Sequence, residues 1–342
     1  MKSLLIISIL MLAAVPAHAD TVEEFYKNRS VTLIIGGGSG GAYDVYARLF
    51  ARHWGRHIPG RPVVVAKNLP TAGGLVAANN LYAIVDRDGL TVAAHPNGIS
   101  LDPLLRNPGA RFDAQKFGWI GSLGRLHNVC VTWHTNNIKL VEDAKFKEVV
   151  LAGHTPSMNT VIFPRILNSM IGTKFKVIGG YEPGQGHSIA LEQGEVDGVC
   201  GLAWATIKAS RPHWISENKL NVILQMGFSK HADLPNVPNV RDLLANENDQ
   251  RMLDLILTRQ EIGRPISAPP DIPKERLQAL RQAFTATIDD STFIVEAQKS
   301  KLEIEAISGA EIDEMLKAAY STPRSIVDRA SRLLTGESAS AE

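Results

Sequence analysis

The chain has 342 residues, with 36 Lys and Arg set against 35 Asp and Glu, and an apolar fraction of 44%. That near-neutral balance excludes the basic excess of a nucleic-acid binder and fits a folded globular protein, long enough for two lobes. The two cysteines, Cys130 and Cys200, do not have metal-ligand spacing.

The chain opens on Lys2, an apolar run from Leu4 to Val15, and Ala17-His18-Ala19 before Asp20. These are the charged, apolar and cleavage parts of a secretory signal, and the run is too short for a comfortable membrane span. Residues 1–19 are therefore expected to be a cleavable signal peptide, with the mature chain soluble in the periplasm. An oxidising compartment permits a Cys130–Cys200 disulfide; two separately buried thiols are the preferred reading.

Short apolar segments predict strands at 31–35, 62–66, 90–94, 118–122, 128–133, 148–152, 175–179, 196–201 and 221–226. Helical patterns fall at 42–57, 73–83, 158–171, 186–193 and 204–216. This alternation argues for parallel α/β sheets. Two long helical patterns follow, at 273–288 and 309–332, the first after the loop Ala268-Pro269-Pro270-Asp271-Ile272-Pro273.

The most telling segment is Gly36-Gly37-Gly38-Ser39-Gly40-Gly41, between the first strand and the first helix. A glycine loop at a helix N-terminus offers backbone N–H groups and the positive dipole end to an anion. Gly36-x-Gly38-x-x-Gly41 matches the dinucleotide fingerprint, but the next strand ends in Lys67-Asn68 where that fingerprint needs an acid. There is no Gly-Lys-Ser/Thr ending, which excludes a P-loop. A carboxylate cradle is the leading reading, with a plain tight turn as the alternative. Three more loops sit after strands: Asn68-Leu69-Pro70-Thr71-Ala72-Gly73-Gly74, His95-Pro96-Asn97-Gly98-Ile99-Ser100, and Gly153-His154-Thr155-Pro156-Ser157-Met158-Asn159-Thr160. In parallel sheets such loops gather where ligands bind.

In this order the loops resemble the solute-binding proteins of tripartite tricarboxylate transporters, the Bug family. The resemblance rests on Gly40-Gly41-Ala42-Tyr43-Asp44 with Ala47-Arg48-Leu49, on Asn68 to Gly74, and on Asp88-Gly89-Leu90-Thr91. It continues in Gly194-Glu195-Val196-Asp197 and Leu234-Pro235-Asn236-Val237-Pro238-Asn239. The departures are Gly36 to Ser39 ahead of the glycine pair, the bulky Tyr43, and the loop from Thr155 to Thr160.

The resemblance implies an α/β, two-lobed periplasmic-binding-protein fold (type II-like). Each lobe would be a mainly parallel sheet flanked by helices, with the ligand cleft between them. Lobe I is expected over 20–124 plus 225–342 and lobe II over 125–224, with chain crossings near 122–126 and 220–226. It implies a non-enzymatic, monomeric protein that captures an organic acid for a membrane permease, with no cofactor, metal or nucleic acid. The expected first-lobe contacts are Ser39, Gly40, Gly41, Ala42, Tyr43, Ala72, Gly73 and Asn97, with Asp44 ordering the loop. Thr155, Ser157, Asn159 and Thr160 would clamp from the second lobe. Tyr43, Tyr181 and Trp204 either floor a longer ligand or pack within the lobes.

Competing chemistry is weaker. His53 and His57 are four apart on a helix, but Gly55 lies between and no Glu completes a zinc motif, so they read as solvated. Neither Ser39 nor Ser157 has the Gly-x-Ser-x-Gly setting of a hydrolase nucleophile. A secreted α/β enzyme and a ligand-presenting sensor subunit remain as alternatives.

Overall fold

The computed structural model describes residues 21–335 apart from 157 and 183–185. The expected signal at 1–19 and the candidate Ser157 lie outside the described residues. Strands β1 (Ser30–Ile35), β2 (Val63–Asn68), β3 (Thr91–Ala94) and β4 (Gly118–Ser122) begin one sheet. Strands β5 (Asn128–Trp133), β6 (Val149–Ala152), β7 (Phe175–Ile178), β8 (Gly198–Ala203) and β9 (Leu220–Met226) form another, in the order β7-β6-β8-β5-β9. The chain then returns, and β10 (Pro265–Ala268) and β11 (Ile307–Ser308) complete the first sheet as β11-β4-β10-β3-β1-β2.

The early helices are α1 (Val22–Tyr26), α2 (Ala42–Trp54), α3 (Leu75–Ala83), α4 (Asp143–Phe146), α5 (Asn159–Ile171), α6 (Gly186–Gln193), α7 (Trp204–Ser210) and α8 (Pro212–Ser216). After β9 come α9 (Glu247–Ile262), α10 (Lys274–Ile288), α11 (Ser291–Lys299), α12 (Gly309–Tyr320) and α13 (Arg324–Thr335).

Both sheets are mixed rather than mainly parallel. The β1–β2, β1–β3, β6–β7 and β6–β8 pairs are parallel. The strands at the crossings reverse this: β10 runs antiparallel to β3 and β4, and β5 antiparallel to β8 and β9. A strand that arrives from the other sheet needs no helical crossover on its own sheet, so its direction is not tied to its neighbours.

Local patterning explains most elements. In β1 the alternate residues Val31, Leu33 and Ile35 are fully buried. They pack against the stripe Tyr46, Leu49, Phe50 and Trp54 of α2, spaced three and four apart, and against Phe284 of α10. Each such large apolar side chain contributes about 1.5–3 kcal/mol on burial. The expected helix at 309–332 is two helices. Pro323 lacks the N–H to continue the ladder and restricts the residue before it. The segment expected at 204–216 likewise divides, with Pro212 starting α8.

A core cluster spans the two sheets' helices. It joins Leu75 and Ala78 of α3, Phe163 and Ile166 of α5, Leu253 and Ile256 of α9, and Ile326 and Val327 of α13. The Ser331 hydroxyl donates to the Leu105 carbonyl at 2.8 Å, and Arg165 Nη1 to the Leu334 carbonyl at 2.6 Å.

The first crossing is Leu123 to His127. The second does not fall at 220–226, which is strand β9; it follows Met226 and runs through α9 to β10. The crossings meet, with the Leu123 N–H on the Arg264 carbonyl at 3.1 Å and the Leu126 N–H on the Gln260 carbonyl at 2.8 Å. Cys130 and Cys200 are register partners in β5 and β8, and their sulfurs are bonded. The preference for two separate thiols is therefore corrected: strand register brings the two α-carbons within 3.8 Å.

Candidate functional site

A cavity of about 480 Å³ lies between the two sheets. One wall is the β1–α2 loop with Pro70, Gly73, Pro96 and Asn97; the other is formed around His154 to Thr160, His187 and Gly201 to Ala203. Leu126, Asn128 and Arg264, at or beside the crossings, complete it.

The glycine loop is held from behind. Gly40 has φ +75°, and its N–H donates to Asp44 Oδ2 at 2.9 Å. Asp44 Oδ1 accepts from Arg48 Nε and Asn68 Nδ2, both at 2.8 Å. Asn68 Nδ2 also donates to the Gly37 carbonyl at 2.9 Å. Burial raises the Asp44 pKa, but the Gly40 N–H, the Asn68 amide and the Arg48 guanidinium outweigh it and hold the carboxyl below its usual range.

The loops also pack on each other. A Cβ on Gly36 would lie 2.8 Å from the Pro96 ring, and one on Gly74 2.7 Å from it. The Gly41 N–H donates to the Gly38 carbonyl at 3.1 Å, so the N–H groups of Gly40 and Gly41 are both used inside the loop. The cradle therefore shifts to Ala42 and Tyr43. Gly41 caps α2 without a side-chain acceptor, and first-turn N–H groups have no carbonyl partner within a helix.

The Asn97 N–H donates to Tyr43 Oη, which donates in turn to Asn97 Oδ1, each at 3.2 Å. Burial raises the Tyr43 pKa, against the Asn97 N–H and the Arg264 and Arg259 charges. Asn97 Nδ2 is buried and has no hydrogen-bond partner among the described residues.

Arg264 is the main addition to the expected site. Its side chain is 4% exposed, lines the cavity and forms no ion pair among the described residues. Its guanidinium lies 3.9 Å from the centre of the Tyr46 ring, and Nη1 reaches the Arg125 carbonyl only at 3.4 Å. Its Nε has no hydrogen-bond partner among the described residues.

On the opposite wall, His154 Nδ1 lies 2.8 Å from the Tyr181 carbonyl. A carbonyl only accepts, so this nitrogen carries a proton. The His154 backbone N–H donates to Thr160 Oγ1 at 3.0 Å. His187 meets His154 edge to face at 5.0 Å between ring centres, and its Nδ1 has no partner among the described residues. Burial, with the His154 and Arg211 charges, lowers the His187 pKa to about 4. Asn159 Oδ1 is also buried without a partner among the described residues.

Of the expected residues, Ser39, Gly41, Ala42, Tyr43, Gly73, Asn97, Thr155, Asn159 and Thr160 line this cavity. Gly40 and Asp44 stand behind the loop as its brace. Ala72 is exposed, in a left-handed conformation at φ 54°. Tyr181 packs against the second sheet's core and gives its carbonyl to His154. Trp204 is buried in that core, with Nε1 donating to Asp233 Oδ2 at 3.0 Å. Neither floors the cavity. His53 and His57 are not simply solvated: they pair with Glu296 at 2.5 Å and Asp290 at 2.9 Å, on and just before α11. Among the described residues no cluster of His, Cys, Asp and Glu is placed to hold a metal, and no helix is long and apolar enough to cross a membrane.

Arg264, His154, His187 and Asn128 are the site residues that sequence reasoning missed. His154 sits inside a loop already singled out for its position after a strand, a usable signal. Arg264 has none, because its meaning depends on where the chain returns between the sheets.

No family model matches the chain, and no curated protein matches it by sequence. Solved structures do match. The TctC solute-binding protein from Polaromonas, solved with no ligand, superposes with a TM-score of 0.66 at 16% identity, over 91% of this chain and 99% of that one. The fold is that of a two-lobed periplasmic binding protein. A protein from R. palustris solved with adipate gives 0.67 at 18% identity, over 89% of this chain and 97% of that one. MatC from Rhodopseudomonas palustris, with bound malate, gives 0.65 at 17% identity, over 90% and 99%.

Proposed function

We propose that this protein captures a small organic acid in the periplasm and delivers it to a membrane transporter of the tripartite tricarboxylate type, without turning it over. The observation that carries the reading is Arg264, a buried guanidinium on the cavity wall with no carboxylate partner among the described residues. A buried charge left unpaired costs several kcal/mol, so the site is built to receive a counter-charge. The first-turn N–H groups of α2, on the same cavity, add the helix dipole to that preference. Fold neighbours solved with adipate and malate support an organic acid as the ligand class.

In this reading the lobes divide within the first crossing and again after Met226, and residues 1–19 direct export. The first-lobe contacts are the N–H groups of Ala42 and Tyr43 together with Asn97 and Arg264. Thr155, Asn159 and Thr160 face them from the second lobe. The protein acts as a monomer, and lobe closure couples to ligand affinity.

A thermal-shift screen of the exported protein against mono-, di- and tricarboxylates tests this. An acid at about a hundred times its Kd stabilises the fold by about 2.7 kcal/mol. A shift produced only by uncharged solutes or nucleotides, or consumption of the acid followed by NMR, would overturn the proposal.

A further inference from the structure

Met158 is an apolar residue in a polar residue's place. It is the N-cap of α5, where Ser, Thr, Asp or Asn would supply a side-chain acceptor, and it makes no such bond. It is half-buried, lines the cavity and packs in none of the apolar cores of the described residues. Neither capping nor core packing accounts for it, and a residue that breaks a local rule in this way points to function. Beside it, Leu202 and Ala203 at the end of β8 are half-buried and line the same cavity. Across from them stand Tyr43, half-buried, and Pro70, exposed. Apolar surface left accessible on both sides of one cavity receives the apolar surface of a ligand.

Charge on the lining is sparse. Arg264 is the sole Lys or Arg among the described lining residues, and the exposed Glu182 is the sole Asp or Glu. The helix that Met158 caps does not add a second anion site. Strand β8 covers its first turn, since a Cβ on Gly201 would lie 2.5 Å from the Asn159 carbonyl oxygen and 3.0 Å from the Thr160 nitrogen. Thr160 Oγ1 already accepts from the His154 N–H at 3.0 Å.

We infer that the ligand is a monocarboxylate with a hydrocarbon body, and that Met158 is a specificity-determining residue for that body. This deepens the function proposed above and rests on it. The carboxylate satisfies Arg264, and the carbon chain lies against Met158 and Leu202. Each methylene moved from water onto that surface is worth about fourfold in affinity. A second carboxylate would be desolvated against Met158 and Leu202, or brought up beside Glu182, and neither place offers a cation.

The test is calorimetric titration of the exported protein with butyrate and hexanoate, and with the dicarboxylates of the same length, succinate and adipate. Hexanoate should bind about fifteenfold tighter than butyrate, and at least about tenfold tighter than adipate. Met158→Gln, similar in length but polar, should bring the hexanoate-to-butyrate ratio below about fivefold, while Met158→Leu should keep it. A purely structural role for Met158 would weaken both acids alike, and a ratio unchanged in Met158→Gln overturns its assignment. If Met158→Gln does not fold, the wild-type series decides alone. A dicarboxylate that binds tightest overturns the inference, as does a wild-type hexanoate-to-butyrate ratio below about threefold. Dicarboxylate binding that is lost in Arg264→Met would leave the proposed function standing while this inference fails; no binding by any acid would remove both.

Discussion

Replacing Arg264 with methionine separates binding from folding, because the two are expected to move in different directions. In the folded protein Arg264 is 4% exposed and has no ion-pair partner among the described residues; its guanidinium rests on Tyr46 at 3.9 Å with one long contact to the Arg125 carbonyl at 3.4 Å. The stacking is worth about 1–2 kcal/mol, and a methionine sulfur recovers about 0.3–1.5 kcal/mol of it against the same ring. Removing an uncompensated buried charge returns several kcal/mol. Stability without ligand should therefore stay within about 1 kcal/mol of wild type or rise. Affinity for a carboxylate should fall by about 3 kcal/mol, or roughly 150-fold in Kd, because truncating one partner of a buried charge pair strands the other. Arg264→Lys keeps the charge but not the planar stack and should fall between the two. Urea unfolding and calorimetric titration on the same preparations make the comparison. Unchanged affinity, or a loss of stability that accounts for the lost binding, would refute the assignment of Arg264 to the ligand.

Reduction of Cys130–Cys200, or the double change to alanine, frees a span of 70 residues and should lower stability by up to about 4 kcal/mol, read as a drop in the urea midpoint. Gly36→Ala and Gly74→Ala place a Cβ 2.8 Å and 2.7 Å from the Pro96 ring and should each cost about 1–3 kcal/mol, while Gly38→Ala, with nothing within 4 Å, should leave stability within about 0.5 kcal/mol; equal effects at all three would refute the close-packing account. Burial pushes the pKa of His187 to about 4 and that of His95 to about 3, from 6.5. Both stay neutral in the folded state while the unfolded chain takes up protons, so their contribution is fully present above pH 6.5 and lost as pH falls toward those values. Each histidine steepens the loss by about 1.4 kcal/mol per pH unit, and His95→Gln should make the urea midpoint fall less between about pH 6.5 and pH 5.

The elements that announce themselves in the sequence are those whose periodicity is local. The β1 alternation of Val31, Leu33 and Ile35 and the α2 stripe from Tyr46 to Trp54 are complete within one segment, and both form where expected. The missed elements get their meaning from partners far along the chain. Strand β10 has only four residues, Pro265 to Ala268, and becomes a strand because it inserts between β3 and β4. Helix α9 carries buried polar residues such as Arg259 and Gln260 beside Leu253 and Ile256, which blurs its apolar face. The direction of β5 depends on its arrival from the other sheet, so alternation alone pointed to more parallel pairing than exists.

The candidate site divides in the same way. The glycine loop is legible because strand, turn and helix are contiguous, and Asp44 accepts from the Gly40 N–H behind it. Its free N–H groups are not legible, since the loop consumes those of Gly40 and Gly41 itself. Arg264 lies more than two hundred residues from the loop it faces, and only the return of the chain through α9 brings it there.

Under the proposed function the acid must also be released, and the ties around Arg264 bear on that. Lys208 on α7 pairs with Asp233 at 2.5 Å and with Glu303 ahead of β11, joining elements of the two sheets. The Glu303 N–H donates to Tyr46 Oη at 3.1 Å, and the Tyr46 ring is the surface on which Arg264 rests. The Lys208 and Glu303 side chains are 28% and 38% exposed, so water and salt screen the pair and it contributes no more than about 1 kcal/mol. An inter-sheet tie of that size is weaker than a charge-assisted hydrogen bond of about 1.5–3 kcal/mol. Under the proposed function, the balance between holding and releasing an acid rests on Arg264, with the Glu303 N–H and the Tyr46 side chain it bonds setting how firmly the guanidinium is kept in place.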